Sequence, residues 1–147
     1  MAEKVIVITG ASAGIGAALA KILGAQGHAL VLAARRDGEL RQIADATATR
    51  AVTVVADVAI RADVTRIRDE ALAAFGRVDV WVNNAGRGIV RSALDLTDED
   101  IDEMIDVNVK SALYGMQAIV PHFRERGSGH LINVSSFLGR VPFVPFR

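Results

Sequence analysis

The chain has 147 residues, 51% of them hydrophobic and 23% charged, enough to build one core. Seventeen basic residues balance seventeen acidic ones, with no basic block, so a protein living on nucleic acid or on anionic membranes is not expected. The absence of cysteine excludes disulfides, zinc–thiolate sites, iron–sulfur clusters and a cysteine nucleophile.

Taken in chain order, Val5-Ile6-Val7-Ile8 is a β-branched run stopped by Thr9-Gly10, which predicts a strand buried on both faces. Ile15, Leu19, Ile22 and Leu23 follow at helical spacing, as the expected apolar face of a helix that Gly27 closes. Residues 29–33 predict a second strand, and Leu40, Ile43, Ala44 and Thr47 a weaker helical stripe. Residues 51–56 predict a third strand. Val64, Ile67, Ala71, Leu72 and Phe75 then mark a helix ending at Gly76, and residues 78–82 a fourth strand. At Thr97-Asp98-Glu99-Asp100 a capping box begins another helix, stapled by Leu96 against Ile101. Val109, Leu113, Met116, Val120 and Phe123 line one face of its long continuation, where Pro121 should kink the helix or mark its last turns. Residues 131–134 predict a fifth strand. No stretch reaches the roughly 18 apolar residues of a membrane span, no secretory signal is visible, and a cytoplasmic protein is expected.

Apolar strands alternating with amphipathic helices predict an α/β fold, a parallel sheet with helices on both faces. A helical bundle has no use for the β-branched runs, and a sandwich would show alternation along each strand. The residues from Thr9 to Gly16 (TGASAGIG) lie between the first strand and the first helix. Free N–H groups there, at Ser12, Ala13, Gly14 and Ile15, can hold a pyrophosphate at the positive end of the helix dipole. Gly10 would permit the turn, Gly14 the close approach of phosphate, and Gly16 the packing of helix on strand. The bland alternative is a flexible junction. No Lys-Ser/Thr pair follows Gly16, which disfavours a P-loop. Asp57, at the end of the third strand, can accept from an adenine amino group while the Val58 backbone reads the ring edge; it can equally cap the next helix.

Five motifs in order carry a resemblance: TGASAGIG, Asp57-Val58, Asn83-Asn84-Ala85-Gly86, Asn108 in a long helix, and Leu131-Ile132-Asn133-Val134-Ser135-Ser136 before Gly139. Together they resemble the short-chain dehydrogenase/reductase family over the whole chain. The resemblance implies a Rossmann-like doubly wound sheet in strand order 3-2-1-4-5, with residues 1–147 forming one NADP-binding domain that ends before the family's later strands. It implies an oxidoreductase moving hydride between a nicotinamide and an alcohol or carbonyl substrate. Asn84, Ala85 and Gly86 would border the cofactor's ribose, and Asn83 would help hold the strand ends. Ala34 stands where a family acid selects NAD, and Arg35, with Arg36 beside it, where a 2′-phosphate is bound, so the expected cofactor is NADP(H). Asp37 is a competing partner for these arginines.

By the same resemblance Asn108 supports a proton-carrying water and Ser136, three residues before Gly139, orients the carbonyl; Ser135 is its structural neighbour. The family's Tyr-x-x-x-Lys does not occur in the 147 residues. Tyr114 is followed by Gly-Met-Gln-Ala and reads as a packing or interface residue. The expectation is therefore that this chain binds cofactor but does not turn over alone, the alternative being a catalytically inactive nucleotide-binding or interaction protein. Residues 141–146 would begin the wall of a substrate pocket, and a homo-oligomer is expected. Histidines 28, 122 and 130 lack ligand spacing, so no metal is expected. Trp81 reads as core, and the acids from Asp95 to Asp106 as a solvated helix face.

Overall fold

Unbroken aliphatic runs can bury both faces of a strand only where helices cover a parallel sheet on each side. The computed structural model, which describes residues 2–136, has that arrangement. Its elements run β1 (Val5–Thr9), α1 (Gly14–Ala25), β2 (Ala29–Ala34), α2 (Asp37–Asp45), β3 (Ala51–Val55), α3 (Arg61–Phe75), β4 (Val80–Asn83), α4 (Asp98–Ile105), α5 (Ser111–Arg126) and β5 (His130–Asn133). All strands are parallel, in the order β3-β2-β1-β4-β5, with Val7 level with Val31 and Trp81. This is the Rossmann-like order that the family resemblance implies. The direction of winding reverses between β1 and β4, which opens a crevice at the carboxyl ends of those strands.

Side-chain alternation sorts the strand residues into two cores. Ile6, Ile8, Leu30, Leu32 and Val82 face one way, joined by Leu40 of α2 and by the half-buried Leu19 and Leu23 of α1. Val7, Val31, Val54 and Trp81 face the other way, against Val64 and Ile67 of α3 and Ala118 and Ile119 of α5. Trp81 is fully buried and donates its Nε1–H to Asn83 Oδ1 at 2.7 Å, so the indole is a satisfied core residue.

Two helices pack differently from their apolar stripes. In α1 the buried positions are Gly16, Ala17, Ala20 and Gly24, while Ile15 and Ile22 are exposed. In α5 they are Ser111, Gly115, Ala118 and Ile119, while Val109 and Leu113 are exposed and Met116, Val120 and Phe123 only half-buried. Apart from Ile119, the buried positions are small residues, which let the helix backbone approach the sheet. A Cβ on Gly115 would collide with the Asn83 side chain.

The capping box is formed as expected, with Thr97 accepting from Asp100 N and Asp100 from Thr97 N. The continuation is interrupted by a π-helical turn, Asp106–Lys110, before α5, which carries Pro121 in its closing turns. Val78 falls outside β4 because α5 takes its backbone groups. His122 Nε2 accepts from its N–H at 3.2 Å, and Arg126 donates to its carbonyl at 2.7 Å. His28 Nδ1 likewise accepts from Lys4 N, so both histidines serve the backbone. Gly139 and residues 141–146 lie outside the described residues.

Candidate functional site

The carboxyl end of the sheet carries a cavity of about 440 Å³, within the size range of small-molecule sites. It is lined by the glycine loop (Gly10, Ser12, Ala13, Gly14 and Ile15), the end of β2 (Ala34, Arg35, Arg36), the segment after β3 (Ala56, Asp57, Val58) and the segment after β4 (Asn84, Ala85, Gly86, Arg87), with Val107. Of the thirteen cofactor-binding candidates read from the sequence, twelve line this one cavity. The exception, Gly16, lies beneath it, where a Cβ would sit 2.5 Å from Gly10 O and 2.6 Å from Asn84 Nδ2.

Local chemistry explains the shape. Gly14 opens α1 at φ +54 with nothing within 4 Å of a built Cβ, so the loop presents bare backbone to open space. No side chain caps α1 and no acid stands in its first turn, which leaves the positive end of the helix dipole uncompensated. This cradle fits a pyrophosphate. Thr9, buried at the end of β1, ties the loop to the next segment: its Oγ1 accepts from Asn84 N at 3.0 Å and Ala85 N at 3.1 Å. Asn84 in turn donates its amide to Thr9 O at 2.9 Å. Sequence reading passed over Thr9 as a working residue; its signal is a hydroxyl closing an apolar strand, where a buried donor needs partners.

Asn83 holds the strand ends, donating to Asn133 Oδ1 at 2.8 Å and to Ala112 O at 3.2 Å. Asp57 is itself positioned. Its N–H is accepted by Asp63 Oδ2 at 2.8 Å, and its Oδ1 accepts from Ala59 N at 2.9 Å in a turn ahead of α3. The hydrogen bond from Asp57 N, with one from Arg66, holds the Asp63 carboxyl below the ordinary carboxylate range. Arg35 reaches towards Asp57 at 3.9 Å. Arg36 donates to Ser12 Oγ at 3.1 Å and pairs with Glu39 at 3.4 Å. Asp37, the expected competitor for these arginines, pairs instead with Arg41 at 2.9 Å.

Neither of the two candidates for chemistry lines the cavity, although Asn108 touches two residues that do, Gly86 and Arg87. Asn108 lies in the π-helical turn, a feature found often at functional sites. Its Oδ1 accepts from Arg87 N and its Nδ2 donates to Arg87 O, both at 2.8 Å. Arg87, not singled out from the sequence, is thus clamped through its backbone, and its guanidinium pairs with Glu103. Ser136 is exposed just past the end of β5, and the parallel ladder brings that end to the same edge of the sheet as Asn83. Tyr114 packs against the core, with the Arg61 guanidinium 4.3 Å from its ring centroid. Among the described residues no cluster of His, Asp and Glu could hold a metal ion, and no helix is long and apolar enough to cross a membrane.

The family model for the short chain dehydrogenases matches residues 4–146. The chain belongs to this family. An uncharacterized oxidoreductase of Staphylococcus epidermidis is 41% identical over 140 residues, covering 95% of this chain and 61% of the relative. One of Bacillus subtilis is 43% identical over 141 residues, covering 93% of this chain and 40% of the relative. The chain therefore spans 61% or less of these relatives' length. Among solved structures, a short-chain dehydrogenase from Streptomyces avermitilis superposes with a TM-score of 0.89 at 36% identity, over 97% of this chain and 52% of the other. A metagenomic short-chain oxidoreductase in complex with NADP gives 0.88 at 35% identity, over 95% and 65%. The short-chain dehydrogenase architecture thus extends across the described chain.

Proposed function

We propose that residues 1–147 form the dinucleotide-binding domain of an NADP(H)-dependent oxidoreductase acting on an alcohol or carbonyl compound. The observation that carries the cofactor choice is the end of β2. Two arginines there line the cavity, and Ala34 occupies the position from which an acid would hold a ribose 2′-hydroxyl. The metagenomic relative in complex with NADP supports the same reading. When bound, the nicotinamide would supply the hydride acceptor or donor.

This chain's own residues would do the rest. The loop from Gly10 to Gly16 offers N–H groups to the pyrophosphate, and Arg35 and Arg36 offer planar donor forks to the 2′-phosphate. Asp57 and the Val58 backbone would border the adenine. Asn84, Ala85 and Gly86 would border the ribose, while Asn84 donates its amide to Thr9 O and keeps the two loops together. Ser136 would orient the substrate oxygen. Asn108, through its hold on Arg87, would keep the loop after β4 in place beside a proton-carrying water.

Arg35→Ala tests the cofactor assignment. The loss of a charge-assisted contact should weaken NADPH binding by about 1.5–3 kcal/mol and leave NADH binding nearly unchanged in calorimetry. Equal losses for both would refute the assignment.

A further inference from the structure

We infer that Glu39 sets how strongly this chain prefers a ribose 2′-phosphate, by holding Arg36 in an ion pair that the phosphate must share. The inference rests on the proposed NADP(H) reading of the same cavity and adds to it a residue that does not line that cavity. The two cavity arginines that follow β2, Arg35 and Arg36, each carry an acidic neighbour, but the neighbours differ. Asp57, near Arg35, lines the cavity itself, whereas Glu39 stands behind Arg36 in the first turn of α2, 3.4 Å from its NH1. The other acid of that turn, Asp37, is taken by Arg41.

The sign of the effect follows from how Arg36 is held. Its NH2 donates to Ser12 Oγ at 3.1 Å, which draws the guanidinium over the glycine loop without help from Glu39. Ser12 thus supplies orientation, while Glu39 supplies a negative charge that cancels part of the field an incoming dianion would meet. Arg36 and Glu39 are 53% and 48% exposed, so water screens the pair and its influence is modest. A nucleotide lacking the 2′-phosphate brings no dianion to the ribose 2′ position, so Glu39 should matter little to it. Removing the Glu39 charge should therefore tighten 2′-phosphorylated nucleotides selectively.

The test uses the intact protein titrated with adenosine 2′,5′-bisphosphate and adenosine 5′-monophosphate in a calorimeter. Glu39→Gln, which keeps the side-chain shape, should bind the bisphosphate about two- to fivefold more tightly, the scale of an exposed ion pair. The monophosphate should be unchanged, and the gain should fade near 1 M salt, where the screening length shrinks to about 3 Å. Glu39→Asp, which keeps the charge, should lack the gain, and Ser12→Ala added to Glu39→Gln should reduce it. Unchanged or weaker bisphosphate binding in Glu39→Gln would overturn the inference, and so would equal tightening of both nucleotides. A parent protein with no preference for the bisphosphate, and indifferent to Arg35→Ala, would overturn the NADP(H) reading itself.

Discussion

Gly14 and Gly16 stand two residues apart and are glycines for different reasons. At Gly14 the backbone is left-handed, φ +54, and the space beyond is empty. Gly14→Ala should cost about 1–2 kcal/mol through backbone strain alone and also weaken nucleotide binding, since the methyl points where phosphate would approach. At Gly16 the added methyl meets Gly10 O at 2.5 Å and Asn84 Nδ2 at 2.6 Å. Gly16→Ala must push apart the contact between the glycine loop and the segment after β4, costing about 1–3 kcal/mol as overpacking. Chemical denaturation beside a nucleotide titration separates the two. Gly14→Ala should show the larger binding loss per unit of stability lost, and a reversed ranking would mean that the roles are exchanged. The glycine spacing is legible in the chain; which glycine is crowded and which faces space is a matter of neighbours that arrive some seventy residues later.

Asn108 shows at the element scale why a motif residue needs its helix irregularity. The π-helical turn, Asp106–Lys110, puts its amide in register with both backbone groups of Arg87. Asn108→Asp would set a carboxylate oxygen against the Arg87 carbonyl, losing about 1 kcal/mol at this exposed position. Hydrogen exchange along residues 86–91 should quicken with it. An unchanged exchange pattern would show that the side chain does not clamp the loop. At the opposite end of the sheet Asp79 joins three elements, accepting from Val5 N at 2.8 Å, Arg77 Nε at 3.0 Å and Arg126 NH1 at 3.1 Å. Burial raises its carboxyl, but the hydrogen bonds from Val5 N, Arg77 and Arg126 outweigh it and hold the group below its ordinary range. A carboxyl so lowered contributes stability above its unfolded value of about 3.9 and gives it up as pH falls through the lower folded one. Asp79→Asn should thus destabilise at neutral pH by about 1–3 kcal/mol, with the gap to the parent closing below about pH 4. A gap independent of pH would show that the charge contributes nothing.

For the whole molecule, two expectations concern the 147-residue chain by itself. It contains no Tyr-x-x-x-Lys, and neither Asn108 nor Ser136 is an acid matched to a developing alkoxide. We propose that it binds NADPH without steady-state carbonyl reduction; sustained turnover by protein of confirmed mass would refute this. Ile101, Ile105, Val109 and Leu113, each four residues from the next, remain between 44% and 48% exposed along α4, the π-helical turn and α5, and Ile132 of β5 is 47% exposed. Apolar surface in a continuous row favours association. Light scattering should therefore report species larger than one chain, and a stable monomer at high concentration would contradict this.

Strand identity and a parallel sheet were legible in the sequence, because β-branched runs, helix stops and loop glycines are local signals; the strand order and most of the cavity residues followed from the resemblance to the family's motifs. The positions of Ser12, Arg35, Asp57 and Asn84 just beyond strand ends were enough to bring them together once the strands lay parallel. Other features depended on packing between distant segments. The buried faces of α1 and α5 proved to be built mainly of small residues, with Ile119 the one large side chain among them, since close approach to the sheet outweighs side-chain area once the backbone can move in. Thr9, Arg87 and the π-helical turn gained their parts from partners far along the chain. The pairing of Arg41 with Asp37 and of Arg36 with Glu39 is by contrast local, at i,i+4 and i,i+3 spacing, and only the side-chain rotamers decided between the possible partners. Local pattern determined what the elements are; tertiary structure decided which atoms in them meet.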